Sequence, residues 1–146
     1  MTEVMFHFHV PDRWAYCCRL LRKAWSQGVR VAVVGPEHDL AGVDRLLWES
    51  SPVEFLPHCR LPGADPRVLE ASSLLLCQSA ADAPHDDVLL NLGSGIPAGF
   101  ERFRRLIEIV GLDEEDRERA RERWRHYRAR GYAIERHEVA AVAPAS

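Results

Sequence analysis

A chain of 146 residues with 47% hydrophobic content is long enough to bury one sizeable core, and its length predicts a single domain. A net charge of −3 excludes a general binder of the phosphate backbone, which carries a basic excess over the whole domain. No run approaches the roughly 18 uninterrupted apolar residues of a membrane-spanning helix, and Met1-Thr2-Glu3-Val4-Met5-Phe6 lacks the basic and apolar regions of an export signal, so a cytoplasmic protein with no membrane partner is expected.

Residues 4–10 form a short β-like run, and Pro11-Asp12 start the next segment. Over 13–27, Trp14, Cys17, Cys18, Leu20, Leu21 and Ala24 recur at helical spacing, and Gly28 closes the segment. Residues 29–34 are a compact apolar run of the kind buried in a parallel sheet, broken by Gly35-Pro36. Helical period returns over 39–49 through Leu40, Val43, Leu46, Leu47 and Trp48. This alternation predicts a three-layer α/β fold with a mostly parallel central sheet flanked by helices, Rossmann-like in outline.

Residues 50–72 carry Pro52, Pro57, Pro62, Gly63 and Pro66 and read as irregular, apart from an extended piece at 53–56. Further strands are predicted at 73–78 and 87–92, with a small polar loop at 80–85 between them. After Gly93-Ser94-Gly95-Ile96-Pro97 a helix is expected over about 98–110, broken by Gly111. A final strand is expected within 132–139, and 140–146 reads as a loose tail, which leaves 1–139 as the domain.

The segment between them, 112–132, is the most informative. It has a start signal at Asp113, acids in its first turn, basic residues towards its end and a stop at Gly131, the order a helix dipole favours. At 100° per residue, Arg117, Arg121, Trp124, Arg125 and Arg128 fall on one side, while Glu115, Arg119, Glu122 and Arg123 point elsewhere. Glu–Arg pairs at i,i+4 are what a solvated helix carries. An indole inside the arginine stripe is not, and four guanidiniums with a tryptophan suit an anionic, partly apolar ligand such as an acidic peptide tail.

Other constellations carry less. The four cysteines, Cys17, Cys18, Cys59 and Cys77, have no metal spacing and read as buried free thiols. His7 and His9 alternate on the first strand and are expected to share a face, with no third metal ligand near them. Gly93-Ser94-Gly95 between a strand and a helix resembles a phosphate cradle but matches neither glycine-rich fingerprint, and Pro97 removes an amide. Ser94 lacks the glycine a nucleophile elbow needs at position 92. His85, Asp86 and Asp87 read as an acidic turn, and Glu37, His38 and Asp39 as first-turn caps. No catalytic residue, metal site or cofactor is expected, and the chain does not read as an enzyme. Trp48, Pro52, Phe55, Leu56 and Pro57 are either core plugs or a protein–protein hot spot.

Three segments together resemble a known family. They are Arg45-Leu46-Leu47-Trp48 followed by Glu54-Phe55-Leu56-Pro57-His58, then 87–92 (DVLLNL), and then 120–132 (ARERWRHYRARGY). In this order and at these separations they look like the chi subunit of bacterial DNA polymerase III, a clamp-loader accessory protein. The resemblance implies a layered α/β fold and a non-catalytic adapter. Such an adapter binds the acidic C-terminal tail of single-stranded DNA-binding protein and so tethers the replicase to coated template, reaching DNA only indirectly. Carried over by position, it places the tail-binding patch at Val110, Arg117, Arg121, Trp124 and Arg125. Arg121 would take the terminal carboxylate, and Val110 with Trp124 would form the apolar slot. Family members typically have lysine at 117 and 125 and tyrosine at 124, so this chain keeps the charge but changes it to a guanidinium fork. A second interface, for the psi subunit or another replisome or helicase partner, would map to Trp48 and Phe55. Two other readings remain open: a nucleotide-binding enzyme using the turn at 93–95, and direct binding of single-stranded DNA through the arginine helix.

Overall fold

The computed structural model describes residues 1–49 and 57–139. Its strands are β1 (Glu3–Val10), β2 (Val31–Val34), β3 (His58–Leu61), β4 (Leu74–Cys77), β5 (Val88–Asn91), β6 (Arg105–Gly111) and β7 (Ile134–Glu138). Its helices are α1 (Arg13–Ser26), α2 (Glu37–Glu49), α3 (Pro66–Ala71) and α4 (Glu114–Ala129). The strands form one sheet in the order β3-β4-β2-β5-β6-β1-β7, and every pairing in it is parallel. The three-layer α/β fold is therefore as expected, with a sheet that is wholly rather than mostly parallel.

Because successive strand residues point to opposite faces, the sheet feeds two cores. On one face Val31, Val33, Leu74, Leu76, Leu90 and Ile109 pack against Cys17 and Leu21 of α1 and Leu40 and Val43 of α2. On the other, Phe6, Ala32, Leu75, Leu89 and Leu106 pack against Ala120 and Tyr127 of α4 and against Phe100 and Phe103. The two helices of the first face meet at Gly42, where a Cβ would lie 2.5 Å from the Trp14 ring. The indole of Trp14 donates to Asp39 Oδ1 at 2.8 Å across the same contact. All four cysteines are buried and free, and burial raises their thiols, Cys18 to about 11 and Cys77 to about 12, so they sit protonated in the core. Among the described residues, no helix is long and apolar enough to cross a membrane.

Two expectations are corrected. The helix expected over 98–110 is a 3-10 turn, Phe100–Arg102, followed by strand β6. Phe100, Phe103, Leu106 and Val110 recur at near-helical spacing, yet they reach one core from a turn and a strand. Ile107 and Ile109 of the same strand face the other core, and a strand covered on both faces shows a continuous apolar run rather than alternation. Residues 57–72 are also more regular than expected, holding β3 and α3, each too short and too close to proline to show a period. The extended piece expected at 53–56, Phe55 within it, and the tail at 140–146 lie outside the described residues.

Candidate functional site

Helix α4 forms where its termini predict. Arg117 N–H donates to the carbonyl of Asp113 at 3.0 Å, and Glu114, Glu115 and Asp116 occupy the first turn. At the far end Gly131 has φ +80°, a conformation that side chains resist, and the amide of Tyr132 reaches back to the carbonyl of Tyr127 at 3.1 Å.

The rotation of the helix about its axis is fixed from below. Arg123, 2% exposed, sends Nε to Glu108 Oε1 at 3.2 Å and Nη1 to the carbonyl of Ser94 at 2.8 Å. Tyr127 donates its hydroxyl to Glu108 Oε2 at 2.5 Å, and Asn91 Nδ2 donates to Oε1 at 2.9 Å. Glu108 is 0% exposed on β6, and burial outweighs the attraction of Arg123 and pushes its carboxyl up to about 7. Arg123 and Tyr127, one turn apart, thus face the sheet. Arg117, Arg121, Trp124 and Arg125 are left on the outer flank.

There they line a cavity of about 300 Å³ together with Phe8 and His9 of β1 and Arg136 of β7. Among the described residues, four of its seven lining residues are arginine and none is acidic, in a chain whose net charge is −3. Its floor is aromatic: the Trp124 ring lies 5.1 Å from Phe6 and 6.0 Å from Phe8. The Arg136 guanidinium stands 4.6 Å over the Phe8 ring and donates to Glu138 at 2.8 Å. Glu114 lies 3.5 Å from Arg117 and 3.6 Å from Arg121, an exposed carboxylate beside both.

Of the residues singled out in the sequence, Arg117, Arg121, Trp124 and Arg125 therefore meet at one cavity. Arg128 is exposed but is not part of the lining. Val110 is 0% exposed in the core beneath α4, with Phe6, Ala120 and Tyr127, so it supports the floor rather than lining a slot. The apolar wall beside Trp124 is Phe8. Phe8, His9 and Arg136 went unassigned because β1 and β7 are far apart in sequence and only the strand order makes them neighbours. His7 and His9 do not share a face. His7 hydrogen-bonds Tyr16 of α1, and burial, with His137 and Lys23 nearby, pushes its imidazole down to about 4. His9 turns to the α4 side.

Trp48 is 58% exposed near the end of α2, its ring 5.1 Å from that of His58, which pairs with Asp44 at 3.0 Å. A larger cavity, about 720 Å³, lies at the carboxyl ends of β1, β2, β5 and β6, where doubly wound folds take nucleotides. Its lining includes Asp12, Asp39, Asp113, Glu115 and Asp116, which repel phosphate. Both arginines in the described lining are engaged, Arg13 by Asp39 at 3.4 Å and the carbonyl of Leu92 at 2.9 Å, and Arg119 by Glu115 at 2.6 Å. Gly93 of the neighbouring glycine turn spends its amide on Asn91 Oδ1 at 2.8 Å. This crevice is built against an anion.

Residues 1–135 match the family described as DNA polymerase III chi subunit, HolC. The chain belongs to this chi family. A chi subunit of DNA polymerase III from Pseudomonas aeruginosa is 30% identical over 148 residues, which cover 97% of this chain and 100% of the relative. Those of Haemophilus influenzae and Escherichia coli are 30% and 25% identical, each covering 80% of the chain and 81% and 79% of the relative. Among the described lining residues of the arginine cavity of this chi-family chain, Arg136 falls outside the matched span and the other six lie within it.

Proposed function

We propose that this chain is a non-catalytic accessory subunit of the bacterial replicase that binds the acidic C-terminal tail of single-stranded DNA-binding protein and links it to the clamp loader. The observation that carries the reading is the cavity with an aromatic floor whose described lining holds four arginines and no acid, on a chi-family chain of net negative charge. An acidic tail that ends in a hydrophobic residue and a free carboxylate needs a guanidinium fork and an apolar wall. Arg121 supplies the fork, Trp124 and Phe8 supply the wall, and Arg117 and Arg125 steer the upstream acids. The cavity is too small for a track along single-stranded DNA, and the exposed Glu114, Glu118 and Glu122 of the same helix repel a polyanion. DNA is reached through the partner. Trp48, with Phe55, is the proposed contact for psi or another replisome or helicase partner.

Calorimetric titration with a synthetic peptide matching the tail of the same organism's single-stranded DNA-binding protein tests the reading. Arg121→Ala leaves a partly desolvated carboxylate unpaired and is expected to cost about 2 kcal/mol or more, roughly 30-fold in affinity. No binding by the wild type, or equal binding by the variant, overturns the assignment.

Glu114 gives a prediction of opposite sign. Its carboxylate sits beside Arg117 and Arg121 in the unliganded protein, where an incoming acid has to displace it. Exposed pairs of this kind are worth about 0–1 kcal/mol, so Glu114→Gln is expected to tighten the peptide by up to about fivefold, with the gain shrinking as salt is added. Weaker binding in the variant contradicts this role.

A further inference from the structure

His9 holds φ at +61°, and among the described residues it is the one non-glycine residue with positive φ. The conformation belongs to a bulge. His7 pairs with Ile109 and Val10 with Gly111, so β1 spends one residue more than β6 over this stretch. On its other edge β1 stays in register with β7 as far as Phe8 and Glu138, and the amide of Val139 continues to the carbonyl of Phe8 at 3.0 Å. The slip is against β6, and the β7 ladder runs regularly up to Phe8, the residue before His9. Its result is visible in the side chains. His7 packs on Tyr16 towards α1, and simple alternation would send His9 the same way. Instead Phe8 and His9 both line the arginine cavity, while Val10 returns to the α1 core. Glycine takes the left-handed region more readily than histidine does, and an outlier of this kind directs attention to what its side chain does.

Arg136 meets His9 at the cavity from the neighbouring strand, its guanidinium held in place by the Phe8 ring and Glu138. It lies just past the span matched by the family model. The cavity thus has two donor walls. One is the helix wall of Arg117, Arg121 and Arg125, and the other a sheet wall of His9 and Arg136, with Trp124 and Phe8 between them.

We infer that His9 and Arg136 are specificity residues of this cavity: the β1 bulge turns the imidazole onto the α4 face so that, with Arg136, it holds a second carboxylate of an acidic peptide end, opposite the one bound by the helix wall. The inference rests on the tail-binding reading above and adds a requirement for two acidic groups in the ligand's last residues.

Calorimetry on the full chain tests it, with the acidic tail peptide and a version in which its aspartates and glutamates are replaced by asparagine and glutamine. Thermal unfolding is measured on the same proteins. His9→Gly relieves the backbone and is expected to unfold at the wild-type temperature or above, yet to bind the acidic peptide roughly five- to tenfold more weakly. Asparagine tolerates the same backbone region and keeps an N–H donor, so His9→Asn is expected to recover part of that loss. Arg136→Ala is expected to weaken the acidic peptide by a similar factor and the neutralised one hardly at all. A bulge with only a structural role predicts unchanged affinity in His9→Gly. That result, with Arg121→Ala still losing binding, overturns the two-wall site and leaves the tail-binding reading standing. Failure of the wild type to bind the acidic peptide overturns both.

Discussion

Glu108→Ala is expected to lower the unfolding free energy by roughly 3–5 kcal/mol, the cost of stranding the partner of a buried ion pair. That is a large share of the roughly 5–15 kcal/mol that holds a domain folded. The residue is 0% exposed, and three groups aim at its carboxylate: Arg123 Nε, Tyr127 Oη and Asn91 Nδ2. Alanine leaves a guanidinium and a phenol hydroxyl in the core without their acceptor and opens a void besides. The network is polar by requirement of neither strand nor helix, so removing it whole is expected to cost far less. Arg123 already has one nitrogen, Nη2, buried with no hydrogen-bond partner among the described residues. The triple variant Glu108→Leu, Arg123→Met, Tyr127→Phe is expected to unfold at higher denaturant than Glu108→Ala. A single variant within about 1 kcal/mol of wild type contradicts the account, since that is the scale of an ordinary surface change.

The same carboxyl gives stability a pH dependence of definite sign. Burial raises it from 4.5 to about 7, so the folded state holds its proton more tightly than the unfolded chain does. Its contribution is full below pH 4.5 and is lost as pH rises towards 7. The difference in unfolding free energy between wild type and Glu108→Gln is therefore expected to fall across that window, measured by urea denaturation. A rising difference contradicts the raised carboxyl.

Much of this was legible in the chain. The arginine helix announced its start at Asp113, its stop at Gly131 and the flank that meets the cavity, because first-turn acids, a glycine stop and a 3.6-residue period are local, although the Asp113 side chain itself makes no capping hydrogen bond. The compact runs at β2, β4 and β5 were equally plain, since strands buried on both faces are short and uniformly apolar. β6 was misread for the same reason, its length and the aromatic spacing before it imitating a helix. One signal inside it was available: Glu108 is a lone acid in Leu-Ile-Glu-Ile-Val, and a charge there requires a buried cation. Which of the many arginines answers it is not written locally, and Arg123 sits unmarked among its neighbours. Phe8, His9 and Arg136 were invisible for a different reason. Their meeting depends on β7 docking beside β1 and on a one-residue slip against β6, both properties of the assembled sheet.

Replacing Arg117, Arg121 and Arg125 together by glutamine is expected to lower affinity for the acidic tail peptide by roughly two to three orders of magnitude. Arg121 carries about 2 kcal/mol of this as the fork on a partly desolvated carboxylate, and the two steering arginines about 0.5–1 kcal/mol each. The sites are close enough that the sum is an upper estimate, because neighbours within one network do not add independently. The fold is expected to survive. Arg117 and Arg121 are 40% and 50% exposed and, among the described residues, pair with Glu114 on the surface, while the contacts that seat α4 come from Ala120, Arg123 and Tyr127 on its other side. Salt provides the internal control. Wild-type affinity is expected to fall as ionic strength rises through the range where the screening length shrinks below about 10 Å, and the triple variant, which keeps Arg136, is expected to show a shallower slope over the same range. A folded variant that keeps the wild-type affinity and salt slope separates the arginine face from binding and places the attraction for the acidic tail elsewhere on the molecule.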